Sequence, residues 1–391
     1  MTSKNWSKRS VLACGIISLL VSSAAAQSPA IALIDPADAA QWEAWAKDAG
    51  WRVITGAQAN NADTRIQNLA SAVRDAVRSG SVDAARVYLA GRGPAAAAVF
   101  YSISRVPDLW AAGIVIDGSP QAAIDTNRIF SANFKLVPVL WVSETDADEA
   151  AALKLKSAGL NLEWRPAKSV NNAAISEWLK QHRRDEFPAE IDCETNSPSF
   201  ASCYWIQMTK FDAAERNDVL PPSALRGGSG ASLDLGGFGY KTDDPGPGLL
   251  VNFLPEKYSG PLKMGDRLIS LDGRPIENAR QYAENMSKTT EEKNVAVMVQ
   301  RGNQRHRIET RVVLPRRDAI VTARVEAQYL PADKEIQVVS RTVKEMKVTI
   351  PPQWAADSKL YWNGLVLEKI DSPGCYLLTI DRELLHSAKC Q

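Results

Sequence analysis

The stretch Val87-Tyr88-Leu89-Ala90-Gly91-Arg92-Gly93-Pro94-Ala95 constrains the fold more than any other part of the chain. An apolar segment of strand character runs into a glycine-rich turn, and an alanine-rich segment, 95–100, follows at once. A strand that passes into a helix through so short a turn sends the chain back across a sheet face, which is the connection parallel strands require. Pro94 suits a first helical turn, where its missing N–H has no role. Gly93 can adopt backbone angles that a side chain would strain.

The flanking pattern agrees. Residues 31–34, 51–54, 87–90, 112–116, 136–142 and 160–165 read as short strands, and 37–49, 64–78, 95–100, 147–157 and 173–183 as helices. In 64–78, Ile66, Leu69, Ala70, Val73 and Val77 share one helical face. Strands alternating with helices predict an α/β unit over 28–186, a parallel sheet covered on both faces.

Three motifs carry a family resemblance. They are the turn just described, Trp110-Ala111-Ala112-Gly113-Ile114-Val115-Ile116-Asp117-Gly118-Ser119, and Val137-Pro138-Val139-Leu140-Trp141-Val142. In this order they resemble the α/β-hydrolase family, in its secreted esterase and prolyl-oligopeptidase-like branch. The resemblance implies a G-x-S-x-G turn after the third strand, whose serine attacks and whose next residue donates its N–H to the oxyanion. Here Gly93 stands at the serine position, Pro94 has no N–H to donate, and Ala95 replaces the last glycine. The resemblance also implies an acid after 142, matched by Asp146, and a histidine in the loop Pro166-Ala167-Lys168-Ser169-Val170, which has none. His182 falls late in the closing helix and reads as a surface residue. Nucleophile, base and oxyanion donor depart from the pattern together, so no residue is assigned a catalytic role. Ser119 is an alternative nucleophile, at a strand's C-terminal end where open α/β sheets place ligands. No histidine lies within sequence reach of it.

Charge excludes other classes. The formal net charge is +1 with both signs mixed along the chain. The arginine-rich pieces near Arg183 and Arg316 are short and read as solvated linker ends, so no nucleic-acid partner is implied. At the N-terminus Lys4, Lys8 and Arg9 precede an apolar run, 11–21, and Ala24-Ala25-Ala26 before Gln27. That is the order of a secretory signal peptide over 1–26, so the chain is expected to be exported, periplasmic or secreted. The run is short for a membrane span, Cys14 lies inside it and not after it, and no later segment is a transmembrane candidate. Cys193, Cys203, Cys375 and Cys390 remain, an even number suited to an oxidising compartment. Four cysteines allow three connectivities; the short-loop pairs 193–203 and 375–390 are favoured, each worth about 3 kcal/mol. Their spacing, with no histidine beside them, argues against zinc. No metal or cofactor is expected.

The second half is organised differently. Pro221-Pro222 and Gly227-Gly228-Ser229-Gly230 mark a linker, and 187–230 reads as a disulfide-stapled connector. Residues 231–317 carry Gly236-Gly237-Phe238-Gly239-Tyr240 after a strand, then Leu262-Lys263-Met264-Gly265-Asp266 and Leu268-Ile269-Ser270-Leu271-Asp272-Gly273. This combination resembles a PDZ domain. The resemblance implies a groove helix at 278–287, with Ala279, Tyr282, Ala283 and Met286 at helical spacing. It also implies that a peptide C-terminus adds as a strand at a sheet edge, its carboxylate held by loop amides. Gly237, Phe238, Gly239 and Tyr240 are the candidate loop, and Ala279, Ala283 and Met286 the candidate helix face. His306 reads as an exposed strand residue. Residues 318–391 read as a small β-rich module, with a hairpin at Asn363-Gly364. This part resembles β-sandwich modules attached to secreted hydrolases.

The expected protein is therefore an α/β-hydrolase-like parallel sheet, then a PDZ domain and a β-rich C-terminal module. Its expected role is exported, non-catalytic binding of a peptide or protein C-terminus. The alternative is a divergent serine esterase or peptidase whose PDZ domain recruits substrate.

Overall fold

The computed structural model describes residues 27–391 apart from 216, 218, 226–230, 242–243, 288, 290, 315–320, 383 and 391. The expected signal peptide, the glycine-rich linker at 227–230 and Arg316 lie outside the described residues.

The first unit runs β1 (Ser28–Leu33), α1 (Ala39–Ala49), β2 (Arg52–Thr55), α2 (Ala62–Arg78), β3 (Val82–Arg92), α3 (Ala96–Arg105), β4 (Ala112–Ile116), α4 (Gln121–Ile124), β5 (Ile129–Phe130), β6 (Val139–Ser143), α5 (Asp146–Ser157), β7 (Leu162–Pro166) and α6 (Asn172–Lys180). Six of its strands form a sheet in the order β2-β1-β3-β4-β6-β7, every pair parallel. The two-residue period of a strand divides its core in two. Ala30, Ala32, Leu89 and Val115 face one way, against Ile66 and Leu69 of α2, Val99 of α3 and Leu155 of α5. Ile31, Leu33, Tyr88, Ile114 and Leu140 face the other, against Trp42 of α1 and Trp178 of α6. Helices thus cover both faces, and strands buried on both sides read as continuous apolar runs, as in Ala112–Ile116. Three helices open on a side-chain cap in sequence: Asn61 for α2, Thr145 for α5 and Asn171 for α6.

Next come β8 (Glu190–Thr195), β9 (Ser202–Cys203) and β10 (Ile206–Phe211), then β11 (Ala224–Leu225), which pairs with β5 of the first unit. An inserted module follows: β12 (Ser232–Leu233), β13 (Gly239–Tyr240), β14 (Leu249–Phe253), β15 (Arg267–Leu271), β16 (Arg274–Pro275), α7 (Ala279–Ser287), β17 (Lys293–Arg301) and β18 (Gln304–Val313). Its sheet runs β12-β18-β17-β15-β14-β13, with β16 beside β15, so β13 is an edge strand.

The chain then resumes with β19 (Ala323–Leu330), β20 (Glu335–Arg341), β21 (Val343–Ile350), β22 (Ser358–Trp362), β23 (Leu365–Ile370), β24 (Gly374–Asp381) and β25 (Leu384–Lys389). Here the structure differs from the expected division into a connector at 187–230 and a separate module at 318–391. β8 is an edge strand of the sheet β23-β22-β20-β19-β8, and β9 and β10 complete the sheet β25-β24-β21-β10-β9. The two stretches build one sandwich around a shared core that includes Trp205, Trp354 and Trp362, and 231–313 is inserted between its strands. A linear reading misses this because the pairing partners are separated by more than a hundred residues.

Both disulfides have the favoured connectivity, Cys193–Cys203 and Cys375–Cys390. The first joins strands in opposite sheets of the sandwich. Asn363 and Gly364 both have positive φ, at 49° and 85°, as a two-residue hairpin between β22 and β23 demands.

Candidate functional site

The turn after β3 explains its own sequence. Gly93 has φ +52°, a conformation that side chains disfavour, and Pro94 lies in the single 3-10 turn that precedes α3. Packing around it is close. A Cβ on Gly91 would come within 2.7 Å of the Ala95 carbonyl oxygen and 2.8 Å of Val99 Cγ2. A Cβ on Gly118 would strike the Gly93 carbonyl oxygen and Ala96 Cβ. At Gly93 itself a Cβ would have room, its nearest neighbour being the Asp117 carbonyl oxygen at 3.8 Å. Gly93 is therefore needed for its backbone angle, whereas Gly91 and Gly118 are needed for close approach.

The described side chains beside this turn are polar and include no histidine. Arg92 pairs with Asp117 at 3.3 Å. Ser119 Oγ is exposed and accepts from the Gln121 N–H at 3.2 Å, opening α4. Asp146 begins α5, and its side chain lies outside the described residues. The loop where the resemblance placed a histidine is a 3-10 turn, Ala167–Ser169.

The chain has three histidines, and none belongs to the elements that flank the Gly93 turn. His182 follows α6 and lines a cavity of about 630 Å³ with Val139, Leu162, Glu163 and Trp178. Val139 and Leu162 begin β6 and β7, so this cavity lies at the N-terminal end of the parallel sheet, opposite the Gly93 turn. The expectation of a surface histidine is corrected: His182 is half-buried, its ring centroid 4.2 Å from Trp178. Trp178 Nε1 donates to Glu163 at 2.7 Å. Burial pushes the His182 imidazole down, against the pull of Glu163. His306 is half-buried on β18, not fully exposed, and His386 is exposed on β25.

In the inserted module the Gly-Asp and Asp-Gly signatures have structural roles. Asp266 is 1% exposed, accepts from the Lys263 N–H at 2.7 Å and binds the Arg301 fork at 2.8 and 2.7 Å. Burial opposes its ionisation, but the Arg301 fork and the Lys263 amide outweigh burial and hold the carboxyl below the usual aspartate range. Asp272 and Gly273 take positive φ between β15 and β16, and Asp272 Oδ1 accepts from the Ala296 N–H.

The predicted loop leads into the edge strand. Gly236 and Gly237 have φ of 81° and 75° and are exposed. Among the described residues, no group accepts from the amides of Gly236, Gly237 or Phe238. Gly239 and Tyr240 form β13, whose one neighbour is β14. The Phe238 and Tyr240 rings lie 6.2 Å apart with their planes tilted at 48°, and Tyr240 meets Tyr282 of α7 edge-on at 5.8 Å. The three helix candidates do not share an environment: Ala279 and Met286 are buried in the module's core with Tyr282, and Ala283 is exposed.

Sequence reasoning missed a second constellation, at the C-terminal end of the parallel sheet. Arg105 ends α3 and is buried. Its guanidinium lies 4.3 Å from the Phe200 ring centroid and donates to Asn196 at 2.6 Å. Asp63, in the first turn of α2, accepts from the Tyr101 hydroxyl at 2.9 Å and pairs with Arg105 at 3.4 Å and Arg128 at 3.9 Å. Beside them a cavity of about 490 Å³ is lined by Ile34, Arg65, Pro94, Ala98, Tyr101 and Arg128, among others. These residues come from four separate segments, so no local motif announces them; an arginine closing an otherwise apolar helix is the one local clue.

No family model and no curated protein matches the chain. Solved structures align with part of it. SOBER1 of Arabidopsis thaliana is 16% identical, with a TM-score of 0.30 over 40% of this chain and 99% of that one. Esterase PE8 is 15% identical, with a TM-score of 0.29 over 40% and 91%. Thermogutta terrifontis esterase 2 phosphoramylated by tabun is 16% identical, with a TM-score of 0.30 over 41% and 83%. Likenesses this distant carry no argument about chemistry. The six-stranded parallel sheet and the Gly93-Pro94 turn after β3 fit an α/β-hydrolase-like region on their own topology.

Proposed function

We propose that this chain is an exported, non-catalytic binding protein. In this reading, 231–317 is a PDZ domain that takes the C-terminus of a peptide or partner protein. The α/β-hydrolase-like unit is then a pseudoenzyme. The observation that carries the binding reading is the set of three loop amides, Gly236 to Phe238, without an acceptor, leading into edge strand β13 beside α7. Consecutive amides of this kind suit a carboxylate, and an open strand edge suits an added strand. Phe238, Tyr240 and Tyr282 offer an aromatic floor for the last side chain, and Gly237 and Gly239 keep the approach open. Ala283 is the helix residue exposed to a ligand, while Ala279 and Met286 anchor the helix.

The loss of catalysis rests on three departures that coincide: Gly93 at the nucleophile position, Pro94 without an N–H, and no histidine at that end of the sheet. Export is supported by the two disulfides and by the leader pattern of 1–26; no helix among the described residues is long and apolar enough to cross a membrane.

The binding reading is tested with a library of peptides bearing free C-termini, followed by fluorescence anisotropy. Amidating the best peptide is expected to weaken it at least tenfold, because the loop amides lose a charged acceptor. Gly239→Glu places a carboxylate and side-chain bulk where a Cβ already meets Phe253 Cβ at 2.9 Å, and should abolish binding. Equal binding by amidated and free peptides, or by parent and variant, removes the reading. The rival, a divergent esterase or peptidase acting through Ser119, predicts stoichiometric labelling by a fluorophosphonate; the pseudoenzyme predicts none.

A further inference from the structure

We infer that the cavity beside the Gly93-Pro94 turn is a binding site for a small organic carboxylate, held without covalent chemistry. Its volume of about 490 Å³ falls in the range of small-molecule sites. Ile34, Pro94 and Ala98 give it an apolar wall, and Arg65, Tyr101, Arg128 and the Asp63 carboxylate that two arginines hold give it a polar one.

The charges around it do not balance. Asp63 is the acid in contact with the cluster, and Arg105 lies within 3.4 Å of it while fully enclosed between Tyr101, Phe200 and Asn196. Arg105 therefore offsets the Asp63 charge and is not free to meet a ligand. Arg128 lies at the edge of the pair, 3.9 Å from Asp63 and 44% exposed. Arg65 has no acidic partner among the described residues, and its Nε is enclosed with no acceptor. Three arginines against one aspartate leave two positive charges on one wall of the cavity. The N-terminal end of the seventeen-residue helix α2 lies at the same wall and adds a positive potential.

A partly buried cation with one enclosed, unused donor beside apolar surface is matched by a ligand with an anionic head and a hydrocarbon body. Arginine binds a carboxylate through two parallel N–H donors, which gives direction as well as attraction. A bare inorganic anion would leave the alanine and isoleucine wall wetted. A neutral ligand could accept from the Arg65 Nε but would leave the arginine charge unmatched. The site stands apart from the groove in the inserted module and does not depend on it.

Isothermal titration of the mature chain with octanoate, 1-octanol and inorganic phosphate tests the inference. Octanoate is expected to bind once per chain, with 1-octanol and phosphate each at least tenfold weaker. Arg65→Gln and Arg128→Gln should each weaken octanoate about tenfold or more while leaving the melting temperature near that of the parent. Gly239→Glu, in the groove, should leave octanoate binding intact. The inference falls if octanoate gives no heat, if octanol or phosphate binds as tightly, or if neither arginine variant changes affinity.

Discussion

Restoring a serine to the Gly93 turn tests the reading of the α/β unit most directly. Gly93→Ser adds a side chain at φ +52°, which costs a residue other than glycine about 1–2 kcal/mol. Removing a glycine from the unfolded chain returns about 0.4–1 kcal/mol, so the net loss is about 1 kcal/mol. Space is not the obstacle, because the nearest atom to the new Cβ lies at 3.8 Å. For a domain of this size the melting temperature should fall by about 2–4 °C. Gly118→Ala is the contrast: its Cβ would strike the Gly93 carbonyl and Ala96, so overpacking of about 1–3 kcal/mol or more is expected. The chemistry should stay absent in Gly93→Ser. A general base is worth about 10²–10⁴ in rate, and one oxyanion donor about 10²–10³. The proposed reading supplies neither, since no histidine lies in the elements flanking the turn and Pro94 has no N–H. Calorimetry gives the stability, and a fluorophosphonate probe with 4-nitrophenyl butyrate turnover gives the chemistry. Stoichiometric labelling, or a burst of nitrophenol from Gly93→Ser, would show a working base beside the turn and refute the reasoning.

Two further outcomes follow from the packing. Asp266 has a carboxyl held below its unfolded value of about 3.9, so its contribution is present above about pH 4 and is lost as pH falls through the lower, folded value. Asp266→Asn should therefore lower stability at pH 7 by about 1–3 kcal/mol and flatten the acid-side loss, as urea unfolding at several pH values would measure; an unchanged acid slope would contradict the assignment. The Cys193–Cys203 bridge closes a loop of ten residues between opposite sheets, so a Cys193→Ser, Cys203→Ser double variant should lose about 2–3 kcal/mol in urea unfolding of the sandwich, and a loss near zero would mean the bridge is redundant.

What was legible in the sequence depended on how local each feature is. The parallel sheet was readable because each βα step carries its own signals: an apolar strand of four or five residues, a cap such as Asn61 or Asn171, and a helix face such as Ile66-Leu69-Val73. The turn pair Asn363-Gly364 sets its hairpin in the same way. The disulfides were readable because each closes a short loop. The sandwich was not, because Glu190–Thr195 finds its partner in Ala323–Leu330 only after the inserted module has been passed over. Its strands alternate in burial, but alternation says nothing about which distant strand lies alongside. The arginine cluster near Asp63 was hidden for the same reason.

The joint between the units shows why the insertion is tolerated. Asp192 and Glu194 on β8 are almost fully buried and would each cost several kcal/mol if unpaired. Arg324 on β19 grips Asp192 with two donors at 2.9 and 2.7 Å, and Lys135 of the first unit reaches it at 2.6 Å. Arg341 and Thr322 meet Glu194, and the Ser223 N–H donates to the same carboxylate at 2.6 Å. Asn133 of the first unit exchanges two hydrogen bonds with the Glu194 backbone. The cluster therefore draws its members from the first unit, from both stretches of the sandwich, and from the strand that leads into the inserted module. Removing Arg324 or Arg341 would take the bound guanidinium from a buried carboxylate, a loss of about 3–5 kcal/mol. Ser223 and β11 hold the chain on one side of the module, and Thr322 and β19 hold it on the other. The described residues on either side of the inserted module, Ser223 and Thr322, thus belong to one charge-matched seam. Changes within the module, such as in the loop at 236–238 or in α7, should leave that seam untouched.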